Sequence, residues 1–248
     1  MKNNTDTIMQ FGKGIILVVL LLVVGCISMH SDKKAQNKVS SQHSDNWVKE
    51  FGIEKRTLAT AGENRYFIMQ PGFQLVIESE DEKVTITVLD ETKEIGKITT
   101  RVIEEREEKN GKLAEVSRNY FAICKDTGDV FYFGEDVDVY KDGKIVNHSG
   151  KWYAYEGNTK PGMMMPGTPS VGKKYYQEIA PGEAMDRGEI VSTNETIKTP
   201  AGIFTNCLKV EETSALNPKE KEYKTYAPGI GLIQDEDLLL TKYGYVKK

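Results

Sequence analysis

Short runs of alternating apolar and polar residues recur along the chain after residue 60. Val84-Thr85-Ile86-Thr87-Val88 alternates strictly and carries β-branched residues on both faces, which is typical of a β-strand. Similar runs occur at residues 98–103, 130–133, 203–210 and 221–226. No segment beyond residue 60 keeps a helical period over three turns. The pattern therefore predicts an all-β domain over residues 61–248.

Turn signals separate these runs. Asn110-Gly111 and Asp142-Gly143 tolerate the positive φ that two-residue hairpins require. Pro181-Gly182 and Pro228-Gly229 mark two further turns. Because such short connections join neighbouring strands of opposite direction, the sheet is predicted to be antiparallel.

The order of these signals repeats about a hundred residues later. Each copy has a glycine before its first strand, a glycine in the next turn, and then a strand that ends in two glutamates. The matching pieces are Gly72 with Gly172, Gly96 with Gly202, and Arg101-Val102-Ile103-Glu104-Glu105 with Leu208-Lys209-Val210-Glu211-Glu212, at offsets between 100 and 107. We predict two similar β-rich halves, about 64–135 and 165–240. Since each half is too small for a good core, they are expected to form a sandwich or a curved half-barrel together.

The N-terminus carries a processing signal. Residues 15–24 form an unbroken apolar run, which is shorter than the roughly 20 residues of a membrane-spanning helix and fits the core of a signal peptide. The run ends in Val23-Val24-Gly25-Cys26, which resembles the bacterial lipobox. The resemblance implies a signal peptide over residues 1–25, cleavage before Cys26, palmitate-type acylation of Cys26, and anchoring at the cell envelope on the extracytoplasmic side of a membrane. The alternative is a plain secretory peptide or a short membrane anchor.

The segment after Cys26 is polar and lacks an apolar period up to residue 44, so it cannot bury enough surface to order itself. We predict a flexible tether over residues 26–60. Within it, Trp47, Val48, Phe51 and Ile53 could form a short turn that docks on the domain.

Charge and cysteine content narrow the function classes. The chain has 37 acidic and 33 basic residues and a net charge of −4, so it lacks the basic surface that nucleic acids require. No nucleic-acid partner is expected. Cys124 and Cys207 are either disulfide-bonded or, as cysteines more often are, small buried apolar groups.

Two segments between the halves are candidates for ligand binding. The first, residues 131–155, is rich in aromatic residues, which either pack across strands or form a surface for a ligand. The second, Pro161-Gly162-Met163-Met164-Met165-Pro166-Gly167, lacks the nearby His or Cys of a soft-metal site and favours an apolar plug between the halves. The candidate ligand-binding residues are Phe131, Phe133, Trp152, Tyr153, Met163 and Met165.

Catalytic signals are sparse. His148 is the single histidine after residue 43, so a multi-histidine metal site is excluded there, and the chain has no glycine-rich phosphate loop. The residues therefore assign no catalytic group, no metal site and no cofactor. Carboxylates are plentiful, and a hydrolase could use Glu178, Glu183 or Asp186 of the 176–189 hairpin if they converge in a cleft.

Several motifs together resemble a family of uncharacterised bacterial secreted proteins and lipoproteins. They cover most of residues 64–240 and are Tyr132-Phe133-Gly134-Glu135-Asp136, Ala180-Pro181-Gly182-Glu183-Ala184 with Asp186, Pro200-Ala201-Gly202-Ile203-Phe204, and Tyr226-Ala227-Pro228-Gly229-Ile230-Gly231. The last two are also similar to a pattern of carrier-like, half-barrel envelope proteins. The family has no assigned activity, so the resemblance implies a secreted or lipid-anchored protein and supplies no catalytic residues to carry over.

Two functions from different classes fit these observations. The first is a binding module for an apolar ligand or an envelope partner, which requires an internal or grooved apolar cavity. The second is an envelope hydrolase, which requires the carboxylates of residues 176–189 to converge with at least one raised pKa.

Overall fold

The structure, a computed structural model, describes residues 46–246. The predicted signal peptide, the lipidation site Cys26 and residues 27–45 of the tether lie outside the described residues. Within residues 46–246 there is no helix with the length and apolar character needed to cross a membrane.

The described chain is built from β-strands and one short 3-10 helix, Ile53–Lys55. The strands of the first half are β1 (Leu58–Ala59), β2 (Glu63–Asn64), β3 (Phe67–Ile68), β4 (Phe73–Glu78), β5 (Glu82–Ile95), β6 (Ile98–Lys109), β7 (Lys112–Cys124) and β8 (Val130–Lys141). The connecting strands are β9 (Lys144–Asn147), β10 (Trp152–Tyr153) and β11 (Lys160–Met165). Those of the second half are β12 (Lys174–Tyr176), β13 (Glu178–Ile179), β14 (Asp186–Thr199), β15 (Gly202–Ser214), β16 (Glu222–Ala227), β17 (Gly231–Asp235) and β18 (Leu238–Tyr245).

One large antiparallel sheet contains all of these strands except β2 and β3, which pair with each other. The strands β4 to β8 form one meander and β14 to β18 form another, and β18 pairs with β4 to join them. The sheet curls into a nearly closed, barrel-like shape. This confirms the prediction of an all-β, antiparallel fold made of two similar halves that form a curved sheet.

The two ends of the sheet meet at a single segment. Tyr175 in β12 pairs with Gly188 in β14, while Glu178 in β13 pairs with Pro161 in β11, so one stretch of chain contacts both edges. Gly162 permits this contact, because a Cβ at that position would lie 2.0 Å from the carbonyl oxygen of Gln177. The joint covers the exposed edges that an open sheet of this size would leave.

The two halves share several local features. β5 and β14 are each 14 residues long, and each leads into the next strand through a two-residue turn. Gly72 and Gly172 have φ values of 86° and 85°. Their N–H groups donate to Val88 and Ile190, respectively, at 2.8 Å. Each half therefore begins with a glycine in the same backbone conformation, whose N–H donates to a carbonyl oxygen of the 14-residue strand that follows.

The folded part begins before residue 60, so the predicted tether is too long at its C-terminal end. Phe51 and Ile53 are buried in the core, and β1 pairs with β7. The reason is the apolar content of this short stretch, which contacts the domain as the sequence pattern around Trp47 suggested. Cys124 and Cys207 are both buried and free, so the reading as small buried groups is correct and the disulfide is not formed.

Candidate functional site

Side chains that point into the barrel create an apolar cavity of about 70 Å³. Alternate residues of a strand face the same side, so each strand contributes one or two side chains to the wall. The apolar lining includes Phe73, Leu75, Ile86, Val88, Ile103, Phe121, Met164, Tyr226 and Leu232. This is the kind of internal apolar space that the binding prediction requires.

A polar cavity of about 60 Å³ adjoins the apolar one. The two share the side chains of Glu105, Phe121, Met164 and Lys224, so an apolar and a polar cavity lie side by side with a common wall. Five carboxyl groups line the polar end: Glu105, Glu135, Glu178, Asp186 and Glu212. They come from β6, β8, β13, β14 and β15, and only the closing of the sheet brings them together.

Lys224 is the one basic side chain among the residues that line the polar cavity. Its Nζ lies 2.7 Å from Glu212 Oε2, and both side chains are about nine-tenths buried. Gln177 Nε2 donates to the other carboxylate oxygen, Glu212 Oε1, at 2.6 Å. Both carboxylate oxygens of Glu212 therefore have a partner. The other four carboxyl groups have no second basic side chain in the cavity wall to pair with.

Burial raises the pKa of the carboxyl groups in this cavity. The pKa of Glu105 is raised to about 7 by burial, against the opposing effect of Lys224. Burial and the neighbouring Glu212 raise the pKa of Asp186 to about 7. The pKa values of Glu135 and Glu178 lie well above their usual range, because burial and nearby carboxylates both disfavour the charged form. Several protons are thus held in the barrel near neutral pH.

Three oxygen atoms in the polar cavity have no hydrogen-bond partner among the described residues. They are Gln177 Oε1, Glu178 Oε2 and Asp186 Oδ1, and all three are fully buried. A buried polar atom without a partner costs about 1–3 kcal/mol. Such atoms are rare in native folds, where a protein group, a water molecule or an ion usually partners them.

Comparisons of the chain with protein-family models, with curated proteins and with solved structures found no significant match.

The six residues predicted to bind a ligand lie close together around β8 and β11, but none of them lines either cavity. Phe131, Phe133 and Met165 are completely buried, and Trp152 and Met163 are nearly so. Met164, which lies between two of the predicted residues, lines both cavities. Neighbours along a strand point to opposite faces, so the run could supply the cavity wall without Met163 or Met165.

Tyr153, the sixth predicted residue, belongs to a polar cluster at the surface. Its hydroxyl donates to Asp136, and Lys93 Nζ donates to the Tyr153 hydroxyl at 2.8 Å. Burial opposes the charged form of Asp136, but hydrogen bonds from Lys93, Tyr120 and Tyr153 hold its pKa well below the usual range. Because the cluster satisfies its own charges, it is best explained as a structural link between strands.

The structure separates the carboxylates predicted for a hydrolase. Glu178 and Asp186 share the polar cavity, whereas Glu183 is exposed on the turn between Ala180 and Ala184. Within residues 46–246 no group of three His, Cys, Asp or Glu side chains is arranged to hold a metal ion. His148 is an exposed loop residue that contacts Asp138.

Glu105, Glu212 and Lys224 were not predicted as site residues. A signal for the two glutamates was present, because the repeat places Glu105 and Glu212 at equivalent positions, the last residue of each matching strand motif. Both line the polar cavity. A search for polar residues shared by the two halves would have identified them.

Proposed function

We propose that this protein is an envelope-anchored binding module that holds an amphiphilic ligand inside its barrel. The observation that carries the proposal is the pair of neighbouring cavities, one apolar and one polar, that share four lining side chains. The apolar end would take the hydrocarbon part of the ligand, and the polar end would take its head group. Few precisely placed polar groups in a mostly apolar pocket are typical of ligand sites.

The ligand proposal predicts a molecule that co-purifies with the protein. We expect denaturation of the purified full chain to release an amphiphile, while any lipid attached covalently to Cys26 stays with the polypeptide. Mass spectrometry of the solvent extract measures it. Ile86→Phe should reduce the extracted amount at least fivefold, because the larger ring fills the apolar cavity that Ile86 lines.

Thr85→Phe is the matched control for that experiment. Thr85 precedes Ile86 in β5 and is not part of the cavity wall, so the same ring there should leave the extract unchanged. Equal extracts from the two variants, or no extractable molecule from the unaltered protein, would contradict binding in the barrel.

The location proposal rests on Cys26. We expect the full chain to be found in the membrane fraction and to incorporate labelled palmitate, and Cys26→Ala to lose the label and leave the membrane fraction. Two or three acyl chains, at about 0.8 kcal/mol per buried methylene, anchor a protein stably. Ser28→Ala, two residues away, should behave like the unaltered chain. A Cys26→Ala protein that stays on the membrane would exclude a lipid anchor at this position.

A hydrolase remains the second candidate, because Glu178 and Asp186 meet in one cavity and both have raised pKa values. The extraction experiment separates the two functions. Hydrolysis would appear as a fragment of lower mass that accumulates with the unaltered protein and not with Asp186→Asn. An intact ligand in both samples favours binding alone.

A further inference from the structure

The polar end of the barrel carries an excess of acidic groups. Glu212 is neutralised by Lys224 at 2.7 Å, and Lys224 is the only basic residue in the wall. Glu105, Glu135, Glu178 and Asp186 remain without a cation of their own. In a water-poor interior such groups either keep their protons or bind a positive charge.

A second observation is that the unpartnered atoms in the wall of the polar cavity are all oxygens, which accept hydrogen bonds. Gln177 is 4% exposed, and its Nε2 donates to Glu212 at 2.6 Å. Because the amide nitrogen is the atom that contacts Glu212, the atom left without a partner is the amide oxygen Oε1. Among the side chains that line the polar cavity, the buried atoms that lack partners are this Oε1, Glu178 Oε2 and Asp186 Oδ1. All three accept hydrogen bonds when the two acids are ionised. Three unpartnered acceptor atoms therefore belong to the wall of the polar cavity, and each of them requires a donor.

We propose that the ligand carries a protonated primary amine, which donates to Gln177, Glu178 and Asp186, and a hydrocarbon part that enters the adjoining apolar cavity. The inference rests on the proposed binding function and names the chemistry of the head group. An ammonium has three N–H donors, one positive charge and no acceptor, and it matches the three acceptors and the unbalanced acids. An alcohol would supply one donor and no charge, and a carboxylate would add to the repulsion.

A metal ion fits the same charges less well. The described residues contain no three-membered cluster suited to a metal, whereas hard cations such as Ca²⁺ require six or more oxygen ligands at short distance. The hydrocarbon wall beside the acids also has no role in binding a bare ion. An organic cation uses both ends of the interior.

Binding of the amine releases protons. The carboxyl O–H bond of Glu178 or Asp186 breaks, its proton passes to the solvent, and the resulting carboxylate accepts a hydrogen bond from the ammonium. Where one proton leaves for each amine bound, the affinity rises up to tenfold for each pH unit. The other ionisable groups that contribute to the field at these acids are Glu105, Glu135, Glu212, Glu220 and Lys224.

The experiment is calorimetric titration of the full chain, freed of co-purified ligand, with n-hexylamine, 1-hexanol and hexanoate. We expect n-hexylamine to bind at least tenfold more tightly than 1-hexanol at pH 7.5, and hexanoate to bind most weakly. The amine should bind at least fivefold more weakly at pH 5.5. Repetition in two buffers of different ionisation enthalpy should show release of about one proton for each amine bound.

Glu178→Gln tests the contact itself. The substitution keeps the shape of the side chain and removes the charge, so it should weaken n-hexylamine binding at least tenfold and leave 1-hexanol binding unchanged. Glu183→Gln, on the exposed turn of the same hairpin, should bind the amine like the unaltered protein. Asp186→Asn should repeat the effect of Glu178→Gln and provides a second variant if the first one folds poorly.

The outcomes separate this inference from the function on which it rests. Equal binding of n-hexylamine and 1-hexanol, tighter binding of hexanoate, or a co-purified ligand without an amine would overturn the amine and leave the binding module intact. Failure of all three compounds to bind, together with an empty extract, would overturn both. An extracted lipid with a primary-amine head group, or a free alkylamine, would support the inference and identify its source.

Discussion

Lys224→Met is expected to lower the free energy of unfolding by about 3–5 kcal/mol, the usual cost of removing one partner of a buried ion pair. Lys224 is 8% exposed and lies 2.7 Å from Glu212. Burial alone would lower the pKa of Lys224, but the attraction of Glu212 and Asp235 raises it well above its ordinary value. The lysine is thus a charged group that the surrounding acids hold in the barrel, and its removal would leave their charges uncompensated.

Thermal unfolding measures this effect, and we expect the Tm of Lys224→Met to fall by about 10 °C, since 1 kcal/mol corresponds to roughly 2–4 °C in a chain of this size. Lys221→Met is the matched control. Lys221 lies 2.9 Å from Glu211 at the surface, where the lysine side chain is half exposed, so its loss should leave the Tm unchanged. Equal Tm values for the two variants would show that the buried pair of Lys224 and Glu212 contributes no more to stability than the surface pair of Lys221 and Glu211.

The second large effect is on the pH dependence of stability. The pKa values of Glu105, Glu115, Asp186 and Asp235 are all raised to about 7, with burial as the largest cause in each case. In the unfolded chain these acids lose their protons near pH 4, whereas in the folded protein they hold them until about pH 7. The folded state therefore binds more protons between these values, and its stability falls as the pH rises from about 4 to 7.

We expect the free energy of unfolding to be at least about 3 kcal/mol higher at pH 5 than at pH 8, since each pKa unit corresponds to about 1.4 kcal/mol. Asp136 acts in the opposite sense. Its pKa is lowered, so the stability that it contributes is lost only below about pH 4. Urea denaturation at a series of pH values should therefore show a maximum near pH 4.

Glu105→Gln should flatten that profile between pH 5 and 8, because it removes one of the buried acids. Glu104→Gln is the control, since Glu104 is the preceding residue of β6 and pairs with Arg118 instead of lining the cavity. A stability that rises steadily from pH 5 to pH 8 would mean that these acids are ionised in the folded protein and would contradict the raised pKa values.

The interior acids also explain why the site could be predicted only in part. Strand β6 contains Glu104-Glu105-Arg106-Glu107-Glu108, which is polar on both faces. Without an alternation of apolar and polar residues, the register of such a strand cannot be read from its pattern. The pairing of Glu105 with Ile86 and Ser117 decides that this glutamate, and not Glu104, faces the barrel interior.

The methionine run illustrates the same limit with apolar residues. Met163, Met164 and Met165 are chemically identical, so no pattern distinguishes the one that lines the cavities from the two that do not. Their pairing with β8 contains a register shift between Met163 and Met165, and nothing in the local sequence predicts it. Only the paired strand decides which side chain points inward.

The alternating runs and the Asn-Gly and Asp-Gly turns were sufficient to determine an all-β, antiparallel chain, because strand period and hairpin turns are local properties. The recurrence of motifs likewise determined that the fold has two similar halves. The closing of the sheet at residues 174–179, and with it the meeting of Glu135, Glu178, Asp186, Glu212 and Lys224, was decided by the tertiary structure alone. Glu212 and Lys224 lie on the neighbouring strands β15 and β16, whereas Glu135 comes from β8 in the other half and Glu178 from β13 at the joint, so the complete group exists only after the two edges of the sheet have met.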